Sequence, residues 1–230
     1  MNFYETIAIA FQKGGPFMYA IGVVAIFVIA LSVDRFIKLY FTYAVDSEPF
    51  MKQIMKLISS GNIDRAIKMC QIKPRASLPQ VIKAGLLKFG KPTEDIDGAM
   101  DEASLKVVPQ IQSGLSFIAT FANLSTLLGL LGTITGLIKS FGSLSAADPA
   151  QKQQMLATGI AEAMNCTAFG LIVAVTAIIV HSYLSNKANK MMDDIDRYSV
   201  AVLNLISEQY RTVRNRSSIQ DQPPLPNDEV

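Results

Sequence analysis

The chain has 230 residues, half of them hydrophobic, with no Trp and a formal net charge of +2. That charge is too weak to point to nucleic acid as a partner. Neither a nucleophile–base pairing nor a phosphate loop is present, so an enzyme is not indicated.

The apolar residues collect in three blocks, and a bilayer core needs about 20 apolar residues in a helix. Residues 1–15, with "NFYETIAIAF", predict a short amphipathic helix on the outer surface. Gly14-Gly15-Pro16 breaks it and opens the first span, expected over 16–41, in which Pro16 to Val33 are 18 residues without a charge. A cleaved signal peptide is not expected, because Glu5 and a single Lys precede this run and no small-residue cleavage site follows it. Lys38 and the aromatics of "FIKLYFTY" fit an interfacial anchor. Residues 42–92 read as short helices of a cytoplasmic domain, with Gly61-Asn62 as a turn.

From Thr93, a plausible N-cap ahead of an acidic first turn, one long helix is expected over 93–140, kinked at Pro109. It would carry the second span, Ser116 to Ile138, 23 residues without a charge. A periplasmic connection over 141–156 leads to the third span over 157–184, whose apolar run holds Glu162 as its only charge. A cytoplasmic helix over 185–214 carries Met191, Ile195, Val202, Leu205 and Ile206 near one stripe. The Pro-rich polar residues 215–230 are expected to be disordered. The fold class is therefore an all-α membrane protein with three transmembrane helices and long cytoplasmic helical extensions.

Lys and Arg set the orientation. There are 12 from Asp34 to Leu115 and 6 from His181 to Val230, against 1 in the first 15 residues and 2 between the second and third spans. The N-terminus is placed outside and the C-terminus in the cytoplasm. Cys70 and Cys166 then fall in different compartments, so no disulfide is expected, and nothing resembles a metal site.

Small residues recur at helical spacing in the second span, among them Gly129, Gly132 and Gly136, and in the third, among them Gly159 and Gly170. In lipid such faces mark close helix packing, because apolar burial gives no drive there. Glu162 is a different signal. A carboxylate inside a membrane helix costs several kcal/mol and marks an ion path or a cavity. Low-dielectric surroundings make a carboxyl hold its proton to higher pH, which a proton relay requires. Thr158 and Asn165 share a face with Glu162, and Thr167 lies about 140° round the helix. Thr133 and Thr135 supply hydroxyls on the second span, Thr133 on the small-residue face. The alternative is a non-conducting scaffold in which Glu162 is simply wet at the outer interface or is partnered by a structural Lys.

"GLLGTITGLIKSF" (Gly129 to Phe141) and "GIAEAMNCTAFGLIVAV" (Gly159 to Val175) resemble the paired signatures of the MotA/TolQ/ExbB proton-channel family. The three-span layout is similar to its ExbB/TolQ branch. The resemblance implies an inner-membrane motor subunit in a pentameric ring, with an ExbD- or TolR-type single-span partner in its pore and a TonB- or TolA-like protein beyond. It implies protons rather than Na⁺ as the coupling ion and no bound cofactor, with Glu162, Thr133 and Thr167 on the proton path. Thr126 and Thr176 stand where the family often has proline, which puts helix kinks there in doubt. A stator of gliding or surface motility is the alternative use of the same machine.

Overall fold

A computed structural model describes residues 15–143 and 149–220. The expected amphipathic helix at 1–15 falls almost wholly outside the described residues. Among those described there is no strand. Helix α1 is Gly15–Ile37, followed by a π-helical turn, Lys38–Thr42. Pro16 suits the first turn of α1, where its missing N–H leaves no bond unmade.

Four short or medium helices follow: α2 Ser47–Ser59, α3 Ile63–Cys70, α4 Ser77–Leu86 and α5 Thr93–Gln112. Gly61, at φ +74°, ends α2. The Asn62 N–H donates to the Leu57 carbonyl and the Gly61 N–H to that of Ile58, each at 2.9 Å. That pairing satisfies two end carbonyls and needs a residue tolerant of positive φ.

The single helix expected over 93–140 is two helices, α5 and α6 (Leu115–Ser143), parted at Ser113–Gly114. Gly114 takes φ +77°, a conformation that ends helices. Pro109 stays inside α5. Leu105, whose carbonyl loses its partner to that proline, is 77% exposed, so water reaches the orphaned group. Helix α7 then runs unbroken over Pro149–Gln220, 72 residues. The expected periplasmic connection of 141–156 is thereby mostly helix, and the tail expected to be disordered from 215 is helical to Gln220. Residues 144–148 and 221–230 lie outside the described residues.

Three helical stretches, in α1, α6 and α7, are long and apolar enough to cross a membrane. Contacts divide the chain into two units. The first holds α1, α6 and α7 as far as Asn186. In it Ile21 of α1 packs with Cys166 and Val173 of α7, among Phe17, Ala25, Leu128 and Phe169. Phe27 and Phe121 stack with centroids 5.8 Å apart. Arg35 of α1 is mostly buried, 3.3 Å from the Asp34 carboxylate, and its guanidinium covers Gly114 closely enough that any side chain there would collide.

The second unit holds residues 38–112 and those from 187 onward. Its interior is Met51, Ile54 and Ile58 of α2, Val81, Ile82 and Leu86 of α4, and Ile96 and Met100 of α5, with Ile195, Val202 and Ile206 of α7 also buried. Gly85 is small because Met100 packs directly over it.

Candidate ion-path site

Helices α6 and α7 meet along a seam built from their small residues. A methyl group added at Gly170 would lie 2.7 Å from the Ser125 carbonyl oxygen and 3.2 Å from the Gly129 Cα. One at Gly136 would lie 2.9 Å from the Ala163 Cβ. One at Gly132 would strike the Cys166 sulfur, and one at Gly159 the Ser140 hydroxyl. The contacts are antiparallel: Gly170 meets Ser125 and Gly129, Cys166 meets Gly132, Ala163 meets Gly136 and Gly159 meets Ser140. Backbones this close gain dispersion contacts that larger side chains would forbid.

Two hydroxyls lock the seam. The Thr167 hydroxyl donates to the Gly129 carbonyl at 2.8 Å, and the fully buried Ser125 hydroxyl shares its proton between the Gly170 carbonyl at 3.2 Å and the Ala122 carbonyl of its own helix at 3.0 Å. Thr167, the residue expected to face a neighbouring sector, is thus one that reaches across. The Thr133 hydroxyl turns back on its own helix, to Leu130 at 2.6 Å. Thr135 does the same, to Leu131 at 2.9 Å, and Thr158 to Gln154 at 2.9 Å.

Glu162 lies on α7 beside this seam and is half-buried. Its carboxylate sits over Gly15, so closely that a side chain at that position would overlap it. Two recesses share the carboxylate. One, of about 130 Å³, is lined by Pro16, Phe17, Gly132, Thr135, Gly136 and Lys139 as well. The other, of about 370 Å³, is lined by Lys139, Ser140, Gln154, Met155, Thr158 and Gly159. Each has room for several water molecules.

Of the residues singled out by pattern, Thr158, Thr135, Gly132, Gly136 and Gly159 therefore share a recess with Glu162. Thr133, Thr167 and Asn165 line neither recess. Lys139 and the N-terminal end of α1 are additions that periodicity did not reveal. Lys139 had one visible signal: it is one of only two basic residues between the second and third spans. It lines both recesses without forming an ion pair with Glu162. Among the described residues no group of His, Cys, Asp and Glu could hold a metal ion.

The arrangement presents an ionisable group to water at the start of α1, beside a seam that excludes water by backbone contact. A family model described as the MotA/TolQ/ExbB proton channel family matches residues 74–197, which include both signature stretches. The chain belongs to that family. Its members are channel and motor subunits, not enzymes. Among curated relatives, the Tol-Pal system protein TolQ of Haemophilus influenzae is 32% identical over 131 residues, 57% of this chain and 52% of that protein. The chain thus spans about half the length of that relative. A putative biopolymer transport protein ExbB homolog of Methanothermobacter thermautotrophicus is 24% identical over 198 residues, 85% of this chain and 69% of that one. The solved structure of C. jejuni MotAB aligns with a TM-score of 0.53 at 15% identity, covering 96% of this chain and 86% of that one. At that identity the likeness is one of fold. With its three apolar helices, this member of the family is a multi-pass membrane protein.

Proposed function

We propose that the chain is the proton-channel and stator subunit of an ExbB/TolQ-type motor in the inner membrane. The N-terminus is periplasmic and the C-terminus cytoplasmic, a placement that rests on the bias of Lys and Arg. Copies of the chain form a ring, a pentamer by family resemblance, around the spans of an ExbD/TolR-type partner. Protons rather than Na⁺ cross at the boundary with that partner, each charge yielding about 2.3 kcal/mol per 100 mV. The work is delivered through a TonB- or TolA-like protein to envelope transport or maintenance.

The observation that carries this reading is the Glu162 carboxylate, half-buried between the ends of three spans and open to recesses of water size. There it takes up and releases protons on the outer side. The family resemblance places Thr133 and Thr167 on the path farther into the span. Glu162→Gln keeps the shape and removes the charge. In cells that also make the partner, the variant should assemble normally and lose proton-driven work. Full work by Glu162→Gln would remove this carboxylate from the mechanism.

The tight α6–α7 seam favours one other reading, a non-conducting scaffold in which these helices serve only assembly. It predicts that Glu162→Gln is silent while Gly132→Leu and Gly170→Leu destroy the complex. Use in surface motility would be told from envelope transport by which protein co-purifies with the ring.

A further inference from the structure

In the second unit, a polar cleft of about 370 Å³ opens between residues 44–49 and one face of α7. Lys187, Lys190 and Arg197 line it from α7, three to seven residues apart and so on one side of the helix. Three carboxylates line it too, so the lining as a whole is neutral, and two of them are paired. Asp194 lies 3.8 Å from Arg197, and Glu48 is paired with Lys52 at 2.7 Å. Asp46 remains, at the start of α2. Against it stand Lys187, whose ammonium lies 5.1 Å from the Tyr40 ring centroid, and Lys190, which has no carboxylate partner among the described residues. With the Asp194–Arg197 pair set aside and Glu48 matched by Lys52 outside the lining, the surplus is one positive unit.

The place of the cleft along the chain matters as much as its charge. Lys187 follows Val180, the last residue of the third apolar run, by seven positions, or about 10 Å of helix. Tyr40 follows α1 by three positions, in a turn whose Phe41 is 77% exposed. Exposed aromatics at that depth mark the interface. The headgroup layer extends roughly 5–8 Å beyond the hydrocarbon on each side, and a Lys side chain reaches back several ångströms toward it. Lys187 is thus within reach of lipid phosphates, and Lys190, about 15 Å past Val180, extends its side chain to the outer edge of that layer.

We propose that this cleft binds the phosphate headgroup of an anionic phospholipid, with Lys187 and Lys190 as its cationic ligands. Lys187 is fixed by Tyr40 at the membrane side, and Lys190 closes on the phosphate from one turn farther along α7. A lipid held there ties the exit of the third span to the leaflet. Basic pockets at the inner face of membrane helices recognise anionic headgroups by this chemistry. A single surplus charge is a weak hold for a soluble polyanion. It suffices for a lipid already concentrated at the surface.

The test uses the full chain purified in mild detergent, with retained lipid read by native mass spectrometry as phosphatidylglycerol or phosphatidylcholine is titrated. The wild type should hold phosphatidylglycerol preferentially. Lys187→Gln with Lys190→Gln should weaken that binding by about 30-fold, the product of two surface lysine contributions. Lys187→Arg with Lys190→Arg should keep it, as should Lys106→Gln, a change on α5 outside the cleft. Equal retention of the two lipids, or undiminished phosphatidylglycerol on the double glutamine variant, overturns the proposal. So does complete displacement by millimolar inorganic phosphate, which would assign the cleft to a free anion.

Discussion

Gly170→Ala adds one methyl group at the closest backbone approach of the α6–α7 seam. That methyl would lie 2.7 Å from the Ser125 carbonyl oxygen, 3.2 Å from the Gly129 Cα and 3.5 Å from the Gly129 nitrogen. All three are backbone atoms, so no side chain can swing aside. The helices must part by several tenths of an ångström. Parting them weakens the Thr167 to Gly129 bond and the Ser125 to Gly170 bond together. Interhelical hydrogen bonds in membranes contribute about 0.6 kcal/mol each, and overpacking a tight contact costs about 1–3 kcal/mol. The expected loss is therefore about 2–4 kcal/mol. Gly98→Ala is the matched control. A methyl there meets nothing within 4 Å, in the middle of α5. It should be neutral or stabilising by up to about 1 kcal/mol, from helix propensity alone. Reversible unfolding of the purified chain in bicelles compares the two. If Gly170→Ala proves as stable as Gly98→Ala, the seam is looser than described and the packing argument fails.

Three other outcomes follow from the same geometry. Gly159→Ala meets the Ser140 hydroxyl and, at 2.8 Å, the Ser140 Cβ, so adding Ser140→Ala should recover only part of its loss in the same assay. Thr167→Val keeps the volume and removes the bond to Gly129, so it should cost about 1 kcal/mol of seam stability. Cys70 is buried in the second unit, and that burial pushes its thiol up to about 11, against a small opposing pull from Lys83. Its folded-state value is raised, so the stability it contributes is intact below the ordinary thiol range and is lost as pH rises toward 11. Disulfide-exchange labelling at pH 8 should leave Cys70 unreacted until the domain is unfolded; rapid labelling of the folded chain would contradict its burial.

The spans and the seam were legible in the residues because lipid imposes simple constraints. Length alone marked three runs, and spacings of three and four marked Gly129, Gly132 and Gly136 against Gly159 and Gly170. Their register was not legible: only coordinates pair Gly170 with Gly129 and Gly132 with Cys166. Pro109 drew attention as a kink in one continuous helix, yet an exposed proline whose lost bond faces water leaves α5 intact. Gly114, five residues on, ends it by adopting positive φ, with Arg35 packed over it. The surroundings of Glu162 were half visible. Helical period put Thr158 beside it. Gly15 and Lys139 come from other helices, and no period within one segment can report a neighbour. Thr133 lay on the expected face, but its hydroxyl closes on its own helix.

Proton flux through the reconstituted complex tests the central claim most directly. Vesicles holding this chain and the proposed single-span partner are given an inward pH gradient, and acidification is followed with an internal dye. Wild-type vesicles should acidify, while those with Glu162→Gln should fall to the leak of vesicles holding the partner alone. Acidification by Glu162→Gln at the wild-type rate would contradict the account.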